Sequence, residues 1–239
     1  MLKILSLSLS LLCFCLHQAR AQDQAIYKAF DNAIGIENTV LFSGVEYLDN
    51  TQSVNAKNKF LYTGQEYVPG SLTYNKQFFP EVFLKYNVVD DRLLIQLSYQ
   101  GKQSNFELVT AQVDSFTIGT HDFVRIQNEN PDIQNGFFEK LLDKNGLQLF
   151  KKYRKNSRKK LDRSFTYYEY EFNTPDYFLQ KGNDFFEIGG RGNVVDLFPE
   201  NKTEIKEIFK QYRDLFRSNR DAFMKLLFGS IADNYKMPE

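Results

Sequence analysis

The spacing of alternating apolar runs limits this chain's architecture more than any other feature. Phe78, Val82, Leu84, Tyr86 and Val88 share one side of an extended segment, and Leu93, Ile95, Leu97 and Tyr99 share one side of the next. A period of two marks half-buried strands. Asp90-Asp91 lies between them and reads as a turn, because acidic side chains there bond nearby backbone amides. Pro80 interrupts the first run and points to an edge strand or a bulge, since proline cannot donate to a ladder. Further runs at 105–113, 115–118, 122–127, 136–142, 147–153, 165–172, 177–180 and 185–188 leave no room for crossover helices. The sheet is therefore expected to be antiparallel. Asn145-Gly146 between two such runs is the strongest hairpin signal in the chain, because both residues tolerate positive φ. Gly182-Asn183 marks another hairpin.

Helical spacing is confined to the two ends. Ile26, Ala29, Phe30 and Ala33 predict a helix over 22–37, with Gly35 at its C-terminal cap. Near the other end, Ile205, Ile208, Phe209, Tyr212, Leu215 and Phe216 fall on one helical face, and Asn201 with Glu204 imitates a capping box. A second helix carries Ala222, Phe223, Leu226, Leu227 and Ile231 and starts near Ser218-Asn219, close enough to pack antiparallel on the first. The expected fold class is α+β, mainly antiparallel β. It would be a meandering sheet or partly closed barrel over 38–192, with an N-terminal helix and a C-terminal helical pair over 193–239.

Residues 1–21 read as a secretory signal peptide: Lys3, then an apolar stretch from Ile4 to Leu16, then Ala19-Arg20-Ala21 before a cleavage point at Gln22. The stretch is too short for a membrane-spanning helix. Cys13 follows Leu12 and Cys15 follows Phe14, so neither cysteine has the small preceding residue of a lipid-modified one. Export would take the protein to the periplasm or the cell exterior, with peripheral attachment to the outer membrane within that range. Removal of the leader would leave 218 residues with no cysteine and a single histidine, His121.

That depletion excludes disulfides, thiolate nucleophiles and zinc sites built on cysteine. No P-loop, G-x-G-x-x-G or G-x-S-x-G motif is present, and Gly189-Gly190-Arg191-Gly192 reads as a loop. His121 in Gly119-Thr120-His121-Asp122 reads as a surface turn residue. No cofactor or metal is expected. Thirty basic residues balance 30 acidic ones, which argues against nucleic-acid binding. Carboxylate chemistry stays open, so the alternative to a binding protein is a carboxylate-based glycan hydrolase.

The series Gly44, Tyr47, Phe60-Leu61, Gly70-Ser71-Leu72-Thr73-Tyr74, Leu84-Lys85-Tyr86-Asn87-Val88 and Asp91 resembles a group of secreted, uncharacterised β-rich proteins from Bacteroidetes. The tail from Phe185 to Tyr235 is similar too. Lys76 stands where that group tends to have glycine, and Asn87 where it tends to have aspartate. The resemblance implies an envelope location and a β-rich fold, and brings no activity with it.

Two surfaces stand out. Lys151, Lys152, Arg154, Lys155, Arg158, Lys159, Lys160 and Arg163 place eight cations in thirteen residues, with no acid from 151 to 161. Such a run creates a positive field suited to an anionic envelope component or an acidic protein; the plain alternative is a solvated hairpin strand. In Phe165-Thr166-Tyr167-Tyr168-Glu169-Tyr170-Glu171-Phe172, rings occupy both strand faces. Core packing is the expectation there, with sugar stacking on Tyr168 and Tyr170 as the alternative. Together these readings favour a non-catalytic binding or assembly module.

Overall fold

The computed structural model describes residues 39–48, 57–64, 66–128, 130, 133–162 and 165–235. The expected signal peptide, the expected helix over 22–37 and Arg163 lie outside these residues. The chain is mainly antiparallel β with helices at its C-terminal end, and it divides into two compact units. The stretch 38–192 is distributed over both.

The first unit comprises described residues within 39–48, 66–85 and 93–119. Its strands are β1 (Val45–Glu46), β2 (Val68–Tyr74), β3 (Gln77–Asn87), β4 (Arg92–Tyr99), β5 (Lys102–Glu107) and β6 (Val113–Ile118), in the spatial order β1-β5-β4-β3-β2-β6. The last two residues of β3 and Arg92 belong to the second unit. The register between β2 and β3 shifts between Gly70 and Leu72, opposite Pro80. Pro80 therefore sits at a bulge in an interior strand rather than on an edge. The bulge also flips the side-chain alternation, so Phe79 is buried with Val82 and Leu84, and Phe78 is not. On β4 the expected face of Leu93, Ile95 and Leu97 is buried, while Tyr99 is exposed. The run expected over 105–113 ends as strand at Glu107 and turns through a short 3-10 segment, Thr110–Gln112, into β6. Asn75 and Lys76 join β2 to β3 at φ of 50° and 65°. The left-handed backbone explains why glycine would suit the position Lys76 fills.

The second unit comprises described residues within 57–64, 86–92 and 120–235. Here β7 (His121–Ile126), β8 (Gly136–Lys144), β9 (Leu147–Lys152), β12 (Asp176–Lys181) and β13 (Asp184–Glu187) lie side by side in that order. Among the described residues the intervening β10 (Lys155–Asp162) and β11 (Phe165–Phe172) pair with each other, as a separate two-stranded sheet. In neither unit does the strand order return on itself, so the sheet is open and the barrel alternative falls.

One face of the β8-β9-β12 region packs Leu147, Leu149 and Leu179 against helices α1 (Arg191–Leu197), α2 (Lys202–Gln211), α3 (Arg213–Ser218) and α4 (Arg220–Asn234). The opposite face carries Phe138, Phe150 and Phe178, with Phe178 stacked on Phe185 at 5.4 Å. Helix α4 buries Phe223, Met224, Leu227, Phe228, Ile231 and Ala232, and Phe209 and Phe216 close over Phe223 at 4.8 and 5.0 Å. The expected first helix of the pair is broken at Tyr212 into α2 and α3. Asn201 does not cap α2, because its amide donates to the Glu204 carboxylate instead (3.1 Å). Asn219 does cap α4, accepting from the Ala222 amide at 3.0 Å. Arg191 opens a helix where a glycine loop was expected.

The Asn145-Gly146 hairpin forms as expected, at φ of 49° and 81°. Its asparagine has a second role: the side-chain amide donates to the Ala232 carbonyl in the last turn of α4 (2.9 Å). One residue thus sets the β8–β9 turn and ties it to the helix. Asn145→Ala should cost about 1–3 kcal/mol, combining a left-handed backbone with a lost hydrogen bond. Asn145→Gly should recover only the backbone part; urea midpoints of the two variants separate the contributions.

Candidate functional site: a buried polar layer and a basic hairpin

Two polar groupings in the second unit gather Asp91, His121, Lys151 and Lys152. The first begins at the turn after β3. Asn87 accepts from the amides of Val89 and Asp90 at 3.1 and 3.2 Å and donates to the Asp90 carboxylate at 2.7 Å, which folds the expected turn. Aspartate at this position could accept the same two amides. Asp91 then adopts φ 56° and turns its carboxylate inward. It accepts the Tyr86 hydroxyl (2.6 Å), the Phe137 amide (3.2 Å) and the Lys152 ammonium (2.7 Å). Lys152 also donates to the Phe137 carbonyl at 3.0 Å. Gly136 makes the space: a Cβ there would overlap the Asp91 carboxylate, and its φ is 137°. Burial lowers the Lys152 pKa, with the Asp91 charge opposing that shift, and burial beside Asp91 raises Tyr86 well above the usual phenol value.

On the helix-covered face lies a second network. His121 is not a free turn histidine: it opens β7, half-buried, with Nδ1 2.7 Å from Glu139 Oε1. Tyr153 donates to Glu139 Oε2 at 2.8 Å. Lys151 sits between Glu139 (3.8 Å) and Asp221 in the first turn of α4 (2.6 Å), with its ammonium over the Tyr153 ring. Tyr177 donates to the other Asp221 oxygen at 2.5 Å. Burial, reinforced by these carboxylates, raises the phenols of Tyr153 and Tyr177 far above 10.

This geometry bears on the hydrolase alternative. A glycosidase needs two carboxyl groups facing an open cleft about 5–10 Å apart. Glu139 and Asp221 instead face a lysine that lies between them, at 3.8 and 2.6 Å. A cavity of about 620 Å³ in the first unit, walled by Pro69, Phe78, Pro80 and Phe83 among others, offers Glu81 as the single carboxylate of its lining. Among the described residues no three His, Cys, Asp or Glu side chains gather as a metal site.

The seven cations of the expected patch that fall among the described residues separate along the chain. Lys151 and Lys152 are buried and paired as described. Arg154 binds Asp176 (2.7 Å) and Gln134 (2.7 Å). Lys155 donates to the carbonyls of Asn58 (2.8 Å) and Phe60 (2.5 Å) over the Phe172 ring, and burial lowers its pKa to about 8. The acids missing from 151–161 are supplied by distant segments. Exposure rises along the run: the Arg154 side chain is 41% exposed but paired, Arg158 is 68% exposed and 3.8 Å from Glu171, and Lys159 and Lys160 are exposed.

These last cations sit on the β10–β11 ribbon, which overturns the expectation that the aromatic strand is core. Phe165, Tyr168 and Phe172 are exposed, as is Leu161. The ribbon is held at its root. The Tyr170 amide donates to the Lys57 carbonyl (2.9 Å), Lys57 pairs with Glu169 and Glu171 at 3.2 and 2.9 Å, and Tyr153 meets Phe172 at 6.0 Å. Tyr168 and Tyr170 stack at 6.4 Å. No local signal marks the ribbon's exposure, and the bonds that hold its root come from residues 57–60.

Two outcomes test this account. Lys152→Met leaves the partly buried Asp91 without its cation and should cost about 3 kcal/mol, whereas the double variant Asp91→Asn/Lys152→Met should recover much of it, read by urea denaturation. Raised phenol pKa values mean that the folded protein keeps protons which unfolded tyrosines release near pH 10, so stability should fall as pH rises above 10. The lowered lysine values act oppositely, adding stability only up to the unfolded lysine value of 10.5. Unfolding midpoints from pH 9 to 12 should therefore drop beyond 10.5, and Tyr177→Phe should flatten the drop. Compared with protein-family models, curated proteins and solved structures, the chain matches none.

Proposed function

We propose that this chain is an exported, non-catalytic binding or assembly module of a bacterial envelope, and that its β10–β11 ribbon docks an anionic component. Export is read from residues 1–21. The observation that carries the docking reading is the division of the basic run. Its root cations are consumed by Asp221, Asp91, Asp176 and backbone carbonyls, while Arg158, Lys159 and Lys160 stand on an exposed ribbon. Aromatic side chains beside those cations add apolar contact area. Glu139, Asp91 and Asp221 support this reading over hydrolysis, since each is engaged by a cation and a phenol. No helix among the described residues is long and apolar enough to cross a membrane.

Binding to dextran sulfate, followed by titration at low and high salt, tests the proposal. Wild-type affinity should fall as salt screens the ribbon. Lys159→Glu/Lys160→Glu should weaken binding roughly 30-fold, at about 1 kcal/mol for each lost cation. Lys202→Glu/Lys206→Glu, an equal charge change on exposed α2 positions, should leave it near wild type. Unchanged binding by the ribbon variant at low salt would overturn the reading.

A further inference from the structure

Taking the docking reading as its basis, we propose that the anionic component is an extended acidic polypeptide segment, which adds a strand to the ribbon along the outer edge of β10. Two bonds at the root fix which backbone groups form that edge. The Asn173 amide donates toward β10, to the Arg154 carbonyl (3.0 Å), whereas the Tyr170 amide donates away from it, to the Lys57 carbonyl (2.9 Å). Inward and outward backbone groups alternate along an antiparallel pair. The register of Arg158 on Glu169 and Lys160 on Tyr167 therefore turns the amides and carbonyls of both cations toward β11. Those of Ser157, Lys159 and Leu161 face the opposite way, at a spacing of about 7 Å. Among the described residues nothing pairs with them, and every residue from 156 to 162 is exposed.

An unpaired edge is a template for another chain, and its side chains decide which one. Arg158 and Lys160 project to one face of the ribbon and Lys159 to the other. Among the described residues no carboxylate forms an ion pair with Lys159 or Lys160, and Arg158 reaches Glu171 only at 3.8 Å. A globular anionic surface laid on one face would leave the cations of the other unmatched. A polysaccharide or a headgroup layer carries no row of amides and carbonyls in strand register. An added strand meets both demands. Its backbone pairs with the outward groups, and three consecutive acids on it lie beside Arg158, Lys159 and Lys160 across both faces. The same cations exclude a second copy of the chain: antiparallel pairing of two β10 edges around Lys159 would set Arg158 against Lys160 and Lys159 against itself.

The test uses the protein purified from its host, with its N-terminus determined, and the end-blocked peptide Thr-Val-Glu-Glu-Glu-Val-Thr, whose acids match the edge in either strand direction. The peptide should bind at low salt. In hydrogen exchange followed by NMR, it should slow the amides of Ser157, Lys159 and Leu161, while those of Arg158 and Lys160 are already slow without it. Ser157→Pro removes one outward amide, keeps every charge and suits an edge strand; it should weaken peptide binding roughly tenfold and leave dextran sulfate binding intact. Methylating the backbone nitrogens of the three glutamates should weaken binding by at least roughly tenfold with the protein unaltered, which guards against a misfolded variant. A methylated peptide that binds as well as its parent, or a Lys159 amide that exchanges as fast with peptide as without, overturns strand addition. Binding to dextran sulfate or to phosphatidylglycerol vesicles without binding to the peptide overturns it too and leaves the docking reading standing. Loss of neither binding in Lys159→Glu/Lys160→Glu overturns both.

Discussion

The second unit is organised around a buried ammonium and a partly buried carboxylate. Lys152 and Asp91 each cost several kcal/mol to desolvate, and only well-placed partners offset that cost. Both sets of partners are present: a phenol, an amide and an ammonium on the carboxylate, and a carbonyl and a carboxylate on the ammonium. They can approach because residue 136 has no side chain. The pair ties the turn after β3 to the start of β8 and the end of β9, and one step further along the chain Tyr153 and Glu139 repeat the arrangement with His121 and Lys151.

Successive residues of a strand point to opposite faces, and this alternation explains why Lys151 and Lys152 are both buried. One meets Asp221 on the helix-covered face and the other meets Asp91. A run of like charges looks continuous in a linear sequence, but the sheet sorts it face by face, and each face finds its own acid. The sorting stops where β9 ends and the ribbon begins, so the chemistry of the basic run changes at about Lys155.

The strands and their antiparallel pairing were legible because alternation and turn residues are local signals. Asn145-Gly146 needed only its own two φ values, and Asn219 only the amide three residues on. Errors arose where a distant segment decided the outcome. Pro80 is held in an interior strand by a bulge that shifts the neighbouring register, so the buried residue is Phe79 rather than Phe78. His121 reads as a turn residue until β8 brings Glu139 across from it. The aromatic strand reads as core because rings on both faces are the usual mark of burial, and nothing in residues 165–172 reveals that β10 is its one strand partner among the described residues.

An isolated two-stranded ribbon is marginal in water, so its root must supply what its own pairing cannot. Lys155 and Lys57 do so, one inserted between carbonyls and a ring, the other across two glutamates. Those contacts fix the ribbon's base and neutralise its acids, and they end well short of Leu161. Cations that stabilise the fold and cations that face solvent are thus neighbours in one strand, separated by about one turn of pleat. The exposed set gains nothing from the ribbon's own stability: like charges crowd one strand, and apolar side chains stay in water at its end.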